Sequence, residues 1–511
     1  MPNISSNNKR IAKNTVYLYA RMLLSTIVSL YTSRVVLNTL GVADYGIYGL
    51  VGGVVSMFSF LNSAMSGATS RFLTFELGKK NSSRIKDIFS SALIIHAGIA
   101  LTIFLLAVTI GLWFLNHKLV IPDGRMTAAY WVFFCSILGM FVSVTQVPYN
   151  AAIIAHEKMN IYAYVELMNV FLKLGIVYIL LVGNLDKLIL YSFLMLGVNI
   201  IVACTYRIYC LKNFDETHFR WVWDKSILKP MLSYSGWDLF GNFSVVSRNQ
   251  GTNFLINIFF GVIYNAASSV ASSVHGLLMS LCNNVLTAFR PQIIKYYSSG
   301  NLNESVNLLY QSTKFSAILL VLVAIPLIAE MDLVMCLWLG NPPEMSSTFC
   351  RILMVVGCVN ICESSLNAGI HATGRIKTMS ILSGLCYLGV LPLIWLCYHF
   401  GRPVEVAYYL AILVYASSWS IKTILVRNYI PGFSVRYYLK HSILPVAEIS
   451  CICAISVFSV VFLMEDGFVR CVVVLFVDVI VGLLSTAFLA LKKEQRHYVY
   501  SLFLSKIKIG L

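Results

Sequence analysis

Three arginines stand where a positive charge is costly. Arg21 and Arg34 lie in the apolar run YLYARMLLSTIVSLYTSRVV, and Arg248 lies in GWDLFGNFSVVSRNQGTNFLINIFF. An arginine at the centre of a bilayer costs roughly 2.5–3.5 kcal/mol on insertion scales. It must pair, reach the interface or face water. A guanidinium that faces water within the bilayer can make two parallel hydrogen bonds to a phosphate or carboxylate. The chemistry on offer is therefore anion binding.

Polar neighbours accompany the arginines. Arg21 shares a stripe with Tyr17, Ser25, Ser29 and Thr32, spaced by three or four residues. Such a stripe should face a polar interior. Arg34 is close to the end of its run, where snorkelling to the interface is an equal option. In the second run Asp238, Asn242, Asn249, Asn253 and Asn257 fall on one broad face, with Arg248 at its edge. No lipid-facing helix tolerates that set, so this run is expected to line a wet cavity. His275, among Ser268, Ser272 and Ser273, is expected to join the lining as a hydrogen-bonded packing residue.

Two further stripes carry acids. Glu166, Asn169 and Lys173 share one helix face, and Asn360, Glu363, Ser364 and Asn367 another, with Arg351 toward the end of that run. Internal ion pairs that fix packing and functional charges remain open alternatives; Glu166, Asp238, Glu363 and Lys173 are candidates for ion coupling. Lys422, near the end of its run, is expected to snorkel, and Asp478 lies mid-run with no evident role.

The elements that must hold these groups follow from composition. The 511 residues are 58% hydrophobic and 12% charged, with mean hydropathy +0.77. This is the composition of an all-α, multi-pass membrane protein. Apolar windows long enough to span recur fourteen times between residues 14 and 491. They include spans 1 (14–37), 5 (161–183), 7 (232–259), 10 (348–369), 13 (442–464) and 14 (469–491). No cleaved targeting segment is expected, because the first run is too long for a signal-peptide core.

Of the 38 Lys and Arg, 27 fall in loops on the side of both termini, 5 in loops on the other side and 6 within spans. That bias puts both termini in the cytoplasm. It also accounts for the net charge of +16 without nucleic acid. The 13 cysteines are scattered through apolar runs, singly but for a Cys451–Cys453 CxC that lies within a span, and show no metal-ligand spacing. No GxxxxGK[ST] loop is present, so nucleotide hydrolysis is not expected of this chain. The loops are too small for a catalytic domain, and no cofactor is expected beyond a coupling H⁺ or Na⁺.

A weak internal repeat organises the spans. Residues 40–81, opening LGVADYGIYGLV, correspond to 260–301, opening FGVIYNAASSVA; each ends in a basic loop, TSRFLTFELGKKN and FRPQIIKYYSSGN. The copies lie six spans apart and so share one orientation, a parallel repeat. The expected organisation is an N-terminal lobe (1–211, spans 1–6), a cytoplasmic linker (212–230), a C-terminal lobe (231–427, spans 7–12) and two appended spans with a basic tail (428–511). Arg21 and Arg248 would then approach one cavity from opposite lobes.

The stretches NTVYLYARMLLSTIVSLYTSRVVLNTLGVADYGIYGLV, YNAAIIAHEKMNIYAYVE and FRPQIIKYYSSGN resemble Wzx-type flippases of the multidrug/oligosaccharidyl-lipid/polysaccharide (MOP) exporter superfamily. The resemblance runs over essentially the full length. It implies movement of an undecaprenyl-pyrophosphate-linked oligosaccharide from the inner to the outer leaflet of a bacterial cytoplasmic membrane by alternating access. The pathway would be synthesis of a surface polysaccharide such as O-antigen in lipopolysaccharide, a capsule or an exopolysaccharide. Partners would be the lipid-linked oligosaccharide, the bilayer and a polymerase with its chain-length machinery. In related lipid II flippases cavity arginines hold the pyrophosphate and terminal helices the lipid tail. By position Arg21 and Arg248 match the former, Arg34 less closely, and spans 13–14 match the latter. Two alternatives stay open: a cation-coupled multidrug exporter of the same superfamily, and an integral membrane glycan polymerase or glycosyltransferase. An excess of deep cations disfavours the first, and the absence of a large outer loop or DxD-like cluster disfavours the second.

Overall fold

The computed structural model describes residues 14–28, 31–32, 35–36, 39–40, 44, 47–48, 51, 60–79, 82–117, 121, 124–180, 186–340, 342–491 and 496, with the backbone alone at 60–66, 82, 114, 257, 262, 265 and 266. Arg34, Ser29, much of the second expected span (46–67) and the basic tail other than Arg496 lie outside the described residues.

Among the described residues the secondary structure is helical throughout, with no strand. Helix α1 covers residues 14–28. It is followed by α2 (Phe60–Lys79), α3 (Ser82–Leu106), α4 (Leu112–His117), α5 (Met126–Ala155), α6 (Met159–Leu180) and α7 (Lys187–Asn213). Then come α8 (Lys225–Phe260), α9 (Val262–Ser298), α10 (Leu302–Ala329), α11 (Met331–Leu339), α12 (Ser346–Thr373), α13 (Lys377–His399) and α14 (Val406–Tyr429). The last are α15 (Val435–Tyr438), α16 (Leu444–Leu463) and α17 (Phe468–Ser485). Three wide π-helical turns, Ala107–Gly111, Leu439–Ile443 and Thr486–Ala490, join α3 to α4, join α15 to α16 and prolong α17.

Helices are the natural outcome for these sequences, because in lipid each backbone group must find its partner within the segment. Ten described helices are long and apolar enough to cross a membrane. The long helices α8 and α9, of 36 and 37 residues, are not among the ten. Their polar stripes lower the hydropathy, although at 1.5 Å per residue each could span a bilayer of ~30 Å. Phe462 (90% exposed) and Ile455, Phe476 and Leu483 on the last two long helices are exposed, as lipid-facing side chains must be.

The chain divides into two compact units. Unit 1 comprises Met1–Phe243 and Ile294–Gly300; unit 2 comprises Ser244–Ile293 and Asn301–Leu511. Unit 1 packs around Phe89, Ile153, Tyr206 and Cys210, with a second cluster around Phe133 and Leu188. At one place its helices nearly touch: a Cβ on Gly78 of α2 would stand 2.7 Å from the Lys295 carbonyl oxygen. Unit 2 packs around Phe349, Tyr387, Tyr415 and Cys453. In unit 2, α12 lies chiefly against α14 and α10, and the appended pair α16–α17 packs on α10. All 13 cysteines are free thiols, and no metal-type cluster of His, Cys, Asp or Glu occurs among the described residues.

Candidate functional site

In unit 1, Arg21 is half-buried on α1. Its guanidinium lies over the Tyr162 ring of α6, 5.0 Å from the centroid. A cation over an aromatic face is held by the ring quadrupole. Tyr162 neighbours Tyr206 of α7, centroids 6.5 Å apart, and Tyr206 Oη donates to Glu166 Oε1 at 3.2 Å. Glu166, Asn169 and Lys173 do follow one face of α6, and Asn169 Oδ1 is buried without a hydrogen-bond partner. Glu166 and Lys173 form no ion pair among the described residues; the two turns between them are too long a reach, although each lies in the other's field. Ser25 turns back onto its own helix, donating to the Met22 carbonyl at 3.0 Å.

Unit 2 repeats the arrangement more tightly. Arg248 on α8 is only 8% exposed. Its Nη2 donates to Tyr415 Oη at 2.9 Å and to Asn249 Oδ1. The guanidinium carbon lies 4.6 Å from the Tyr415 centroid and 5.8 Å from that of Tyr387. Nη1 is buried and has no partner. A buried, unsatisfied charged donor is costly to maintain, and this one is held in a fixed direction by two rings. Tyr387 Oη in turn donates to Glu363 Oε1 at 2.8 Å, as does Ser418 Oγ at 2.8 Å. Lys422 Nζ pairs with the same oxygen.

The Lys422 pairing corrects the expectation of snorkelling. Lys422 is 5% exposed and sits inside unit 2, because a carboxylate that is itself only 2% exposed awaits it on α12. Arg351 pairs with Asp332 at 2.7 Å and donates to the Ile328 carbonyl at 3.0 Å. Arg71, counted with the loop cations, lies within α2. It is buried, with its guanidinium 4.7 Å from the Phe75 centroid and 5.8 Å from that of Tyr234.

The remaining expected lining residues divide into three groups. Asp238 accepts from Asn242 Nδ2 at 3.3 Å and lies against Gly67 of α2. Asn253 Oδ1 accepts from Ser268 Oγ at 2.9 Å, joining α8 to α9. Asn257 lies on α8, but its side chain is outside the described residues, as is Arg34 altogether. His275 lies in the field of Arg248 and packs against Gly357. Its Nε2 is buried without a hydrogen-bond partner, so the expectation of a hydrogen-bonded histidine does not hold for that atom.

The tyrosines were not singled out from the sequence. Helix α1 is the first span of the N-terminal repeat and α8 the first of the C-terminal one. Tyr162 and Tyr206 stand on the fifth and sixth spans of the first repeat, Tyr387 and Tyr415 on the fifth and sixth of the second. Each unit thus holds an arginine, two tyrosines and a glutamate; the arginines and tyrosines stand on corresponding spans of the expected repeat, whereas Glu166 lies on the fifth span of the first half and Glu363 on the fourth of the second. Deep tyrosines in apolar runs carry a signal of their own, since a buried hydroxyl requires a partner.

No family model matches the chain. Uncharacterized membrane protein EpsK of Bacillus subtilis (strain 168) is 21% identical over 320 residues, which are 62% of this chain and 63% of that protein. The likeness therefore spans less than two thirds of the relative. A multidrug resistance MATE family transporter of the MOP superfamily, solved in its outward-facing conformation, matches with TM-score 0.71 and 14% identity over 83% of this chain and 96% of that one. A MOP superfamily transporter from Pyrococcus furiosus, described as having a binding pocket of reverse polarity that suggests a different function, matches with TM-score 0.68 and 14% identity over 83% and 96%. At these identities the likeness is one of fold: the chain is a multi-pass membrane protein with the fold of MOP superfamily transporters.

Proposed function

We propose that the chain moves an undecaprenyl-pyrophosphate-linked oligosaccharide from the inner to the outer leaflet of a bacterial cytoplasmic membrane, by alternating access, for surface polysaccharide synthesis. The observation that carries this reading is the Arg248 guanidinium, buried in the bilayer portion of the chain with Nη2 tied down and Nη1 unpartnered. A fixed donor of this kind suits a phosphate oxygen, which forms charge-assisted hydrogen bonds. Arg21, held over Tyr162, offers a second cation. Asn249 and Asn242, both exposed on α8, are suited to sugar hydroxyls. The bias of loop charges supports cytoplasmic termini. Coupling to H⁺ or Na⁺ would fall to Glu166 before Glu363, since Lys422 already neutralises Glu363.

Export of cationic drugs is the rival, favoured by the name of one fold relative. A site for organic cations needs an acid left free in the membrane; the Lys422 partnership removes Glu363 from that role, so such a site would have to use Glu166 or Asp478.

The test is reconstitution of the full chain in vesicles holding a fluorescent polyprenyl-pyrophosphate lipid, with leaflet exposure read by a membrane-impermeant quencher. Losing one hydrogen bond to a charged group costs about 1.5–3 kcal/mol, so Arg248→Ala should slow translocation about 10- to 150-fold. Arg21→Ala should slow it as well. Arg248→Lys should recover only part of the rate, because it keeps charge and loses the fork. Wild-type rates in both alanine variants, with protein level and monodispersity unchanged, would refute the proposal.

A further inference from the structure

A cavity of about 320 Å³ opens at one end of unit 2, between α10, the segment from α15 into α16, and the end of α17. Among its charged lining residues two lysines, Lys314 and Lys440, stand against one acid, Glu448, with His441 beside them. Lys440 forms no ion pair among the described residues, although Glu448 lines the same cavity. Lys314 Nζ donates to the Ala490 carbonyl at 2.6 Å, which fixes the end of the last helix as one wall. His441 stacks on Tyr437 with centroids 3.8 Å apart, and its Nδ1 lies 3.1 Å from the Tyr437 carbonyl. That carbonyl can only accept, so Nδ1 donates and Nε2 is left for another group.

Two of the three π-helical turns border this cavity: Lys440 and His441 belong to Leu439–Ile443, and Leu489 and Ala490 to Thr486–Ala490. A π turn widens the helix and breaks its regular ladder, and such turns concentrate at functional sites. Leu444 and Leu489, on the cavity wall, are 48% and 40% exposed. Cationic and apolar surfaces therefore meet within one hollow. Lys440 immediately precedes the expected span 13 and lies in the first turns of the helical segment Val435–Leu463, at the end expected to be cytoplasmic.

We propose that this cavity is a binding site for the phosphate headgroup of an anionic glycerophospholipid. Lys440 faces the phosphate, Tyr437 packs against the glycerol, and the acyl chains leave along Leu444 and Leu489. The apolar wall selects a lipid over free phosphate. Glu448 weakens the attraction and sets it against more highly charged anions. The site is separate from Arg248, so it does not depend on the transport reading.

The full-length protein in detergent would be titrated with phosphatidylglycerol, with phosphatidylcholine and with inorganic phosphate, and bound lipid counted by native mass spectrometry. A surface Lys contributes about fivefold to binding of an anionic headgroup. Lys440→Gln should therefore weaken phosphatidylglycerol about fivefold, and Glu448→Gln should tighten it by a similar factor. Phosphatidylcholine should respond to neither change, and millimolar phosphate should not displace the lipid. Equal phosphatidylglycerol affinity in wild type and both variants would overturn the proposal. Displacement by inorganic phosphate would overturn its lipid part. Lys440 and Glu448 make no side-chain hydrogen bond or ion pair among the described residues, so both variants should fold.

Discussion

The pair Glu363–Lys422 is the place where a single substitution should be felt most. Both side chains are almost completely buried, at 2% and 5% exposure, and Glu363 Oε1 also takes hydrogen bonds from Tyr387 and Ser418. Lys422→Met leaves a carboxylate in the interior with two neutral donors. Breaking one side of such a pair costs about 3–5 kcal/mol, since the remaining charge is neither solvated nor matched. Glu363→Gln leaves a buried ammonium and should cost about as much. The double variant removes both charges, while the amide oxygen at residue 363 still accepts from Tyr387 and Ser418. It should be more stable than either single variant, giving an interaction energy of at least about 2 kcal/mol. The assay is reversible unfolding in mixed micelles by SDS titration, followed by tryptophan fluorescence. Trp419 stands one turn before Lys422, with its indole nitrogen 3.2 Å from Tyr438 Oη, and should report loss of this region. Losses that simply add, to within about 0.5 kcal/mol, would refute the claim that the two charges depend on one another.

Other outcomes follow from the same reasoning. Gly78→Ala should destabilise unit 1 by about 1–3 kcal/mol, because, although the Ser298 hydroxyl that a Cβ would meet first can rotate, the Lys295 backbone just behind it cannot; a thermal scan unchanged from wild type would contradict the close approach. Asp478 is fully buried, and the weakly donating Cys453 thiol is its one neighbour of hydrogen-bonding character among the described residues, so Asp478→Asn should leave stability equal or raised in the SDS titration, as a carboxylate is the costlier group to bury. Outside the spans, Asp186 loses some solvation, yet the Arg125 guanidinium beside it and the backbone amides of Ile189 and Leu188 hold its carboxyl below the usual range. Its ionised form is thus favoured by folding, so its contribution is complete above the ordinary carboxylate range and is lost as pH falls through the depressed value. Wild-type stability should fall from about pH 5 to pH 3 more steeply than that of Asp186→Asn; parallel curves would count against this role.

The helical layout was largely legible in the sequence because hydropathy and the 3.6-residue period act locally. From the third expected span (89–115) onward the expected spans overlap described helices, except that the ninth (315–338) is divided at Glu330 between α10 and α11, and α8 and α9 carry the polar stripes read from Asp238 to His275. The site was legible only in part. Arg21 and Arg248 stood out because charge in an apolar run is conspicuous. Their tyrosines did not, since Tyr415 lies 167 residues from Arg248 and its selection depends on how α14 packs. Lys422 was misread for the same reason: position along a helix suggests a route to the interface, whereas the Glu363 carboxylate 59 residues away decides otherwise. Arg71 was assigned to a loop because the last part of α2 is polar enough to look like one.

The duplicated clusters also have an ionic-strength consequence. Arg21 and Lys173 are set against Glu166 in unit 1, and Arg248 and Lys422 against Glu363 in unit 2. Each set is left with one positive charge in excess. If the chain carries an anionic cargo as proposed, the unloaded protein would draw chloride or another small anion from the bathing solution toward that excess, and loading would expel it. Apparent affinity for an anionic cargo should then decline as such salts are raised, while a neutral cargo would be indifferent to them.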